Sequence, residues 1–95
     1  MCGITGLIHL DNSPVSRPVV KGMTDSLIHR GPDDEGLWVE KNVGIGHRRL
    51  SVVDLSFAGR QPMVSANDRF VLSYNGEVYN FQEIRKELES KGHEF

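Results

Sequence analysis

Cysteine is nearly missing from this sequence, with Cys2 the only one present. An intramolecular disulfide is therefore excluded, and a reducing cytoplasm is the compartment that this favours. Metal-ligand spacings are also lacking. His9, His29, His47 and His93 are scattered, with no C-x-x-C or H-x-x-x-H pair, so no structural zinc site is expected. No apolar run approaches the roughly 18 residues of a membrane span. No basic segment leads into an apolar stretch at the start, so a secretory signal is not expected and neither is a membrane partner. Neither sign of charge dominates. The 11 Lys and Arg residues are interspersed with 13 Asp and Glu, giving a net charge of −2, which argues against a nucleic-acid partner. The G-x-x-x-x-G-K-S/T loop that cradles nucleotide phosphates is absent.

What remains is an ordinary globular composition over 95 residues, 38% hydrophobic and 25% charged. That length corresponds to about one small domain. Such a chain buries roughly 60 to 65% of its unfolded surface. Met1 to Leu10 mixes apolar residues with Gly3 and Gly6 and reads as a buried strand with close backbone approach at its glycines. After the turn cluster 11–14, Ser16 suits an N-cap and Pro18 a first helical turn. Val19, Val20, Met23, Leu27 and Ile28 then predict a helix over Arg17 to His29. Leu37 to Val39 and Val43 to Arg48 read as strands joined by a turn at Lys41-Asn42. Leu50, Val52 and Val53 read as further extended chain, and Leu55 to Met63 as a loop. Phe70 to Tyr74 has the strongest strand pattern. Asn80 and Glu83 resemble a capping box ahead of a helix with Phe81, Ile84 and Leu88 on one face, and Gly92 suits its stop. Short strands and two helices together suggest a layered α+β fold.

Four features carry possible chemistry. If Met1 is removed, the only thiol becomes the N-terminal residue. A free α-amino group has a pKa of roughly 7.7 to 8.0, so it can take the thiol proton, and one residue then supplies nucleophile and base. Taken alone, Cys2 reads first as a small buried hydrophobe near a frayed end. Arg49, at the end of a strand, can clamp a carboxylate in a bidentate contact or can be a solvated surface group. Asn75-Gly76 offers a carboxamide and a backbone N–H for an oxyanion, or is a plain strand-exit turn. Arg30 to Gly36 is a dense acidic turn and is assigned to structure first. Read together, they supply what is needed to attack a carboxamide held by its amino-acid end.

The stretch Met1-Cys2-Gly3-Ile4-Thr5-Gly6 resembles the start of class II glutamine amidotransferase domains. Arg30 to Gly36, Gly46 to Asp54, Gln61-Pro62-Met63 and Tyr74 to Asn80 match in the same order. Pro32 and Arg48-Arg49-Leu50 make the sequence most similar to the glutamine-hydrolysing asparagine synthetase branch. The resemblance implies an N-terminal nucleophile (Ntn) hydrolase fold, an αββα sandwich, of which residues 1–95 would be a truncated front part. It implies Cys2 as nucleophile, Asn75 and Gly76 as oxyanion hole, and Arg49 on the glutamine α-carboxylate. Leu50, Ser51, Val52, Val53 and Glu77 would line the pocket. Ammonia would pass to a C-terminal synthetase domain, expected to be absent from this chain, where ATP and Mg would activate aspartate. The aspartate that holds the substrate amino group would lie just past Phe95. Two other readings stay open: a truncated binding or regulatory module, and the amidotransferase part of a synthetase acting on another carboxylate.

Overall fold

A computed structural model describes residues 2–50 and 60–94. Strand β1 (Gly3–Ile8) is followed by helix α1 (Arg17–Asp25), strands β2 (Asp34–Glu40) and β3 (Val43–Arg49), the short strands β4 (Met63–Val64) and β5 (Val71–Leu72), and helix α2 (Phe81–Ser90). Helix and strand content is mixed, as the α+β expectation requires. The first three strands form an antiparallel sheet in the order β1-β3-β2, and β4 and β5 pair separately.

The turn expected at Lys41-Asn42 joins β2 to β3, with Lys41 at a φ of 51°. It also fastens β1. The Asn42 carbonyl accepts the His9 N–H at 2.9 Å. The Asn42 side-chain amide donates to the His9 carbonyl at 3.1 Å. Strand β2 is longer than the expected Leu37–Val39, because β3 pairs with it end to end, from Glu40 opposite Val43 to Asp34 opposite Arg49.

Glycines in β3 let α1 lie close. A Cβ on Gly44 would stand 2.6 Å from Val20. One on Gly46 would collide with the Thr24 hydroxyl and lie 2.5 Å from that of Thr5. Those two hydroxyls are themselves hydrogen-bonded at 2.9 Å, and Thr24 donates to the Val20 carbonyl at 2.7 Å. Overpacking such a seam costs about 1–3 kcal/mol. Gly46→Ala is expected to lower unfolding stability by about 3 kcal/mol in urea titration, the upper part of that range. Gly6→Ala should cost far less, since its Cβ would meet only the Gly44 carbonyl oxygen, at 3.8 Å. Equal losses at both positions would contradict this account.

Helix α1 ends four residues before the expected His29. From there the chain tightens into i→i+3 bonds, from Leu27 to Thr24, Ile28 to Asp25 and Arg30 to Leu27. Leu27 packs on the start of β1 instead of extending a helical face, its Cδ1 2.9 Å from where a Gly3 Cβ would stand. Ser16 is the N-cap residue, with extended backbone but no side-chain cap bond, and Pro18 lies in the first turn.

The pattern Phe70 to Tyr74 overstates the strand, since only Val71–Leu72 pairs. Continuing the Met63–Leu72 register brings Ser73 opposite Pro62, which has no N–H to donate. Tyr74 comes opposite Gln61, whose side-chain oxygen accepts the Tyr74 N–H at 2.5 Å in place of a ladder bond. The capping box at Asn80 does not form. Asn80 has φ −100° and ψ 31°, outside the extended range of an N-cap, and its side chain makes no cap bond. The C-terminal stop does form. Gly92 has a φ of 91°, its N–H reaches the Glu89 carbonyl, and the His93 N–H reaches that of Leu88. This is the pairing of a Schellman cap. The apolar face of α2 is uncovered among the described residues, with Phe81 and Ile84 both exposed. The expected extension through Val52 and Val53 and most of the expected loop from Leu55 lie outside the described residues.

The core of the described residues is unusually polar. Val15 and Val20 are its buried apolar members, beside Thr24, His47, Arg48 and Arg49. Alternation along β3 divides the sheet faces. Gly44, Gly46 and Arg48 face α1, and Ile45, His47 and Arg49 face the other way. On the α1 side, Arg48 donates through Nε to the Gly31 carbonyl at 2.8 Å and meets the Glu35 carboxylate at 3.0 Å. A Cβ on Gly31 would run into the Arg48 carbonyl, so the stretch 30–33 is a bed for this arginine, while residues 34–36, expected in the same turn, belong to β2 through their pairing with β3. The assignment of 30–36 to structure holds.

Candidate active site

The opposite face of the sheet is met by the two ends of the segment that carries β4 and β5. At Gly36 a side chain would collide with the Gln61 carbonyl and stand 3.0 Å from Pro62. Arg60 donates to the Glu35 carbonyl at 3.2 Å and pairs with Asp34 at 3.4 Å. The other end of the segment is held by side chains. His47 Nδ1 lies 2.7 Å from the Ser73 hydroxyl. The Asn75 carboxamide donates to the Cys2 carbonyl at 3.3 Å.

Three residues singled out by sequence thereby come to one end of the sheet. The β1–β3 register pairs Gly3 with Arg48. One further step sets Cys2 opposite Arg49, on the face away from α1. Cys2 is half-buried. Its sulfur accepts the Leu50 N–H at 3.4 Å, and the thiol lies 3.9 Å from the Leu50 carbonyl. Arg49 is only 8% exposed, so it is not a solvated surface arginine. Asn75, 73 residues away in sequence, reaches the nucleophile candidate through its amide. Gly76 lies beneath the Tyr74 ring, where a Cβ would be 2.7 Å from the hydroxyl. That hydroxyl donates to the Glu77 carbonyl at 3.4 Å, which folds the turn after Asn75 back on itself. Glu77 is exposed. Ser51, Val52 and Val53 lie outside the described residues.

His47 is a residue to which sequence reasoning gave no role, although it lies in the matched stretch from Gly46 to Asp54. It is 1% exposed. Burial, and then the charge of Arg49, push its imidazole below the usual histidine range, which keeps the ring neutral at pH 7. A usable signal was its position two residues before Arg49, which puts both on one face of a strand.

Among the described residues no three His, Cys, Asp or Glu side chains gather to hold a metal ion. The site thus brings a carboxamide N–H to the residue that carries the thiol, with Arg49 opposite that residue in the continued strand register. With them a carbonyl substrate can be attacked, its charge held and its carboxylate clamped.

The model of a family described as a glutamine amidotransferase domain matches residues 1–95. The chain is 46% identical over 98 residues to glutamine-hydrolyzing asparagine synthetase 3 of Bacillus subtilis (strain 168), covering 100% of this chain and 16% of that protein. It is 38% identical over 96 residues to glutamine-hydrolyzing asparagine synthetase 1 of Arabidopsis thaliana, covering 100% of the chain and 16% of that protein. It is also 38% identical over 88 residues to asparagine synthetase B of Escherichia coli (strain K12), covering 92% and 16%. The chain thus spans about one sixth of the length of these curated relatives. Because that family model matches the chain from Met1 to Phe95, the chain belongs to the glutamine amidotransferase domain family.

Proposed function

We propose that this chain is the front part of the glutaminase half of a glutamine-hydrolysing asparagine synthetase, built on an Ntn-hydrolase αββα sandwich. The observation that carries the reading is the convergence of Cys2, Arg49 and Asn75 at one end of the sheet, in a chain of this family. Removal of Met1 frees the Cys2 α-amino group, which takes the thiol proton. The thiolate adds to the side-chain amide carbon of glutamine, and Asn75 Nδ2 and the Gly76 N–H hold the oxyanion. The protonated amine returns its proton to the departing nitrogen, and ammonia leaves a glutamyl thioester. Water, deprotonated by the same amine, adds to the thioester, and glutamate and the free thiol are released. Arg49 holds the α-carboxylate, with Leu50, Ser51, Val52, Val53 and Glu77 around it.

The ammonia serves ATP-dependent amidation of aspartate in a C-terminal synthetase domain. ATP and magnesium belong to that part, and no step above runs through them. A cytoplasmic setting suits a lone thiol. Among the described residues no helix is long and apolar enough to cross a membrane. The 95 residues alone should release little glutamate, since residues that would hold the substrate amino group lie beyond them in the family.

The test uses the protein expressed from its full reading frame. Glutamine should support asparagine formation with stoichiometric glutamate. Arg49→Ala should raise the KM for glutamine by about 30-fold or more, because a charged, bidentate contact is worth about 2 kcal/mol or more. Use of free ammonia but not glutamine would overturn the glutaminase reading. An amidated product other than asparagine would overturn the choice of acceptor.

A further inference from the structure

The hydrogen bond between His47 and Ser73 has no part in the chemistry above, yet its placement is specific. The three-stranded sheet and the β4–β5 pair share no ladder. The segment that delivers Asn75 must therefore be located by side chains. Ser73 lies two residues before Asn75, and its hydroxyl is 2.7 Å from His47 Nδ1. Next in line, the Tyr74 N–H is taken by Gln61, and Asn75 then meets the Cys2 carbonyl. His47 is placed to do this by β3. It pairs with Ile4 on one side and with Gly36 on the other, and Gly36 leaves the sheet face open beneath Gln61 and Pro62. The imidazole is buried, and its Nε2 has no hydrogen-bond partner among the described residues. A buried polar atom left unpaired costs free energy, so a hydrocarbon would serve this position better if filling space were its only task.

We infer that His47 is a positioning residue, which sets the oxyanion segment against Cys2 through Ser73 without touching substrate. This rests on the glutaminase reading of the site. The two residues act through one bond, so their effects on the reaction cannot be independent. Because Arg49 is not part of this connection, loss of the bond should affect the chemical step and not glutamine binding.

The experiment is a double-mutant cycle in the protein expressed from its full reading frame, read by steady-state glutamine hydrolysis. His47→Ala and Ser73→Ala should each lower kcat by about 10- to 100-fold, with KM for glutamine changed less than about twofold. The double variant should be no slower than the worse single one. His47→Asn, whose carboxamide reaches the Nδ1 position, should recover most of the rate, whereas His47→Gln should not. Ser73→Ala removes only a hydroxyl, so it keeps the test valid if His47→Ala fails to fold. Multiplicative losses in the double variant, a rise in KM in place of a fall in kcat, or no loss for Ser73→Ala would overturn the inference and leave the glutaminase reading standing. A wild-type protein unable to hydrolyse glutamine would overturn both.

Discussion

Cys2→Ala is expected to abolish glutamine hydrolysis, lowering kcat by about 10⁴-fold or more, the usual consequence of deleting a covalent nucleophile. Only the oxyanion donors and the substrate clamp would then remain. Retention of Met1 should be almost as damaging, although the thiol would still be present. The α-amino nitrogen would be tied up in a peptide bond and could no longer accept a proton. Two measurements separate these cases: intact mass, which reports the presence of Met1, and labelling by a glutamine-like electrophile, which reports the thiol. Processed wild-type protein should label at Cys2. Protein with Met1 retained should label slowly, and Cys2→Ala should not label at all. Brisk hydrolysis by a preparation that retains Met1 would eliminate the proposed base.

Asn75→Ala should reduce kcat by about 10²- to 10³-fold, the loss expected from one oxyanion donor, or roughly 3–4 kcal/mol. The structure adds a second cost, because the same carboxamide holds the Cys2 carbonyl. Asn75→Asp should be worse than alanine at neutral pH. A carboxylate would face both that carbonyl and the developing oxyanion with no proton to offer. Steady-state kinetics in glutamine are the readout. A decline in activity for Asn75→Ala that lies wholly in KM would remove Asn75 from the oxyanion role.

Much of the sheet was legible because local signals fixed it. Once a turn sits at Lys41-Asn42, the register of β2 on β3 follows, and with it the meeting of Glu35 and Arg48. That partly buried pair could have been found by counting outward from the turn. Gly92 was equally readable, since few other residues accept a positive φ there. The length of β5 was not legible. It depends on Pro62 and Gln61 lying opposite Ser73 and Tyr74, a fact of pairing that no property of Phe70 to Tyr74 contains. Cys2, Arg49 and Asn75 could be picked out from position and residue type, but their meeting depends on strand order. His47 was overlooked for the same reason, its partner being 26 residues further along.

The bond from Asn75 to the Cys2 carbonyl has a thermodynamic consequence. A primary carboxamide has two N–H hydrogens, and one of them is used on the nucleophile's own residue. The oxyanion site is complete only while the 73–76 segment stays docked on the sheet, where two side-chain hydrogen bonds, worth about 1 kcal/mol each, secure its end. A ligand that needs that donor binds the docked form alone. By linkage it must then strengthen docking by as much free energy as docking contributes to its own affinity. A tetrahedral adduct at Cys2 should therefore protect the amides of Asn75 and Gly76 from hydrogen exchange more than glutamine itself does.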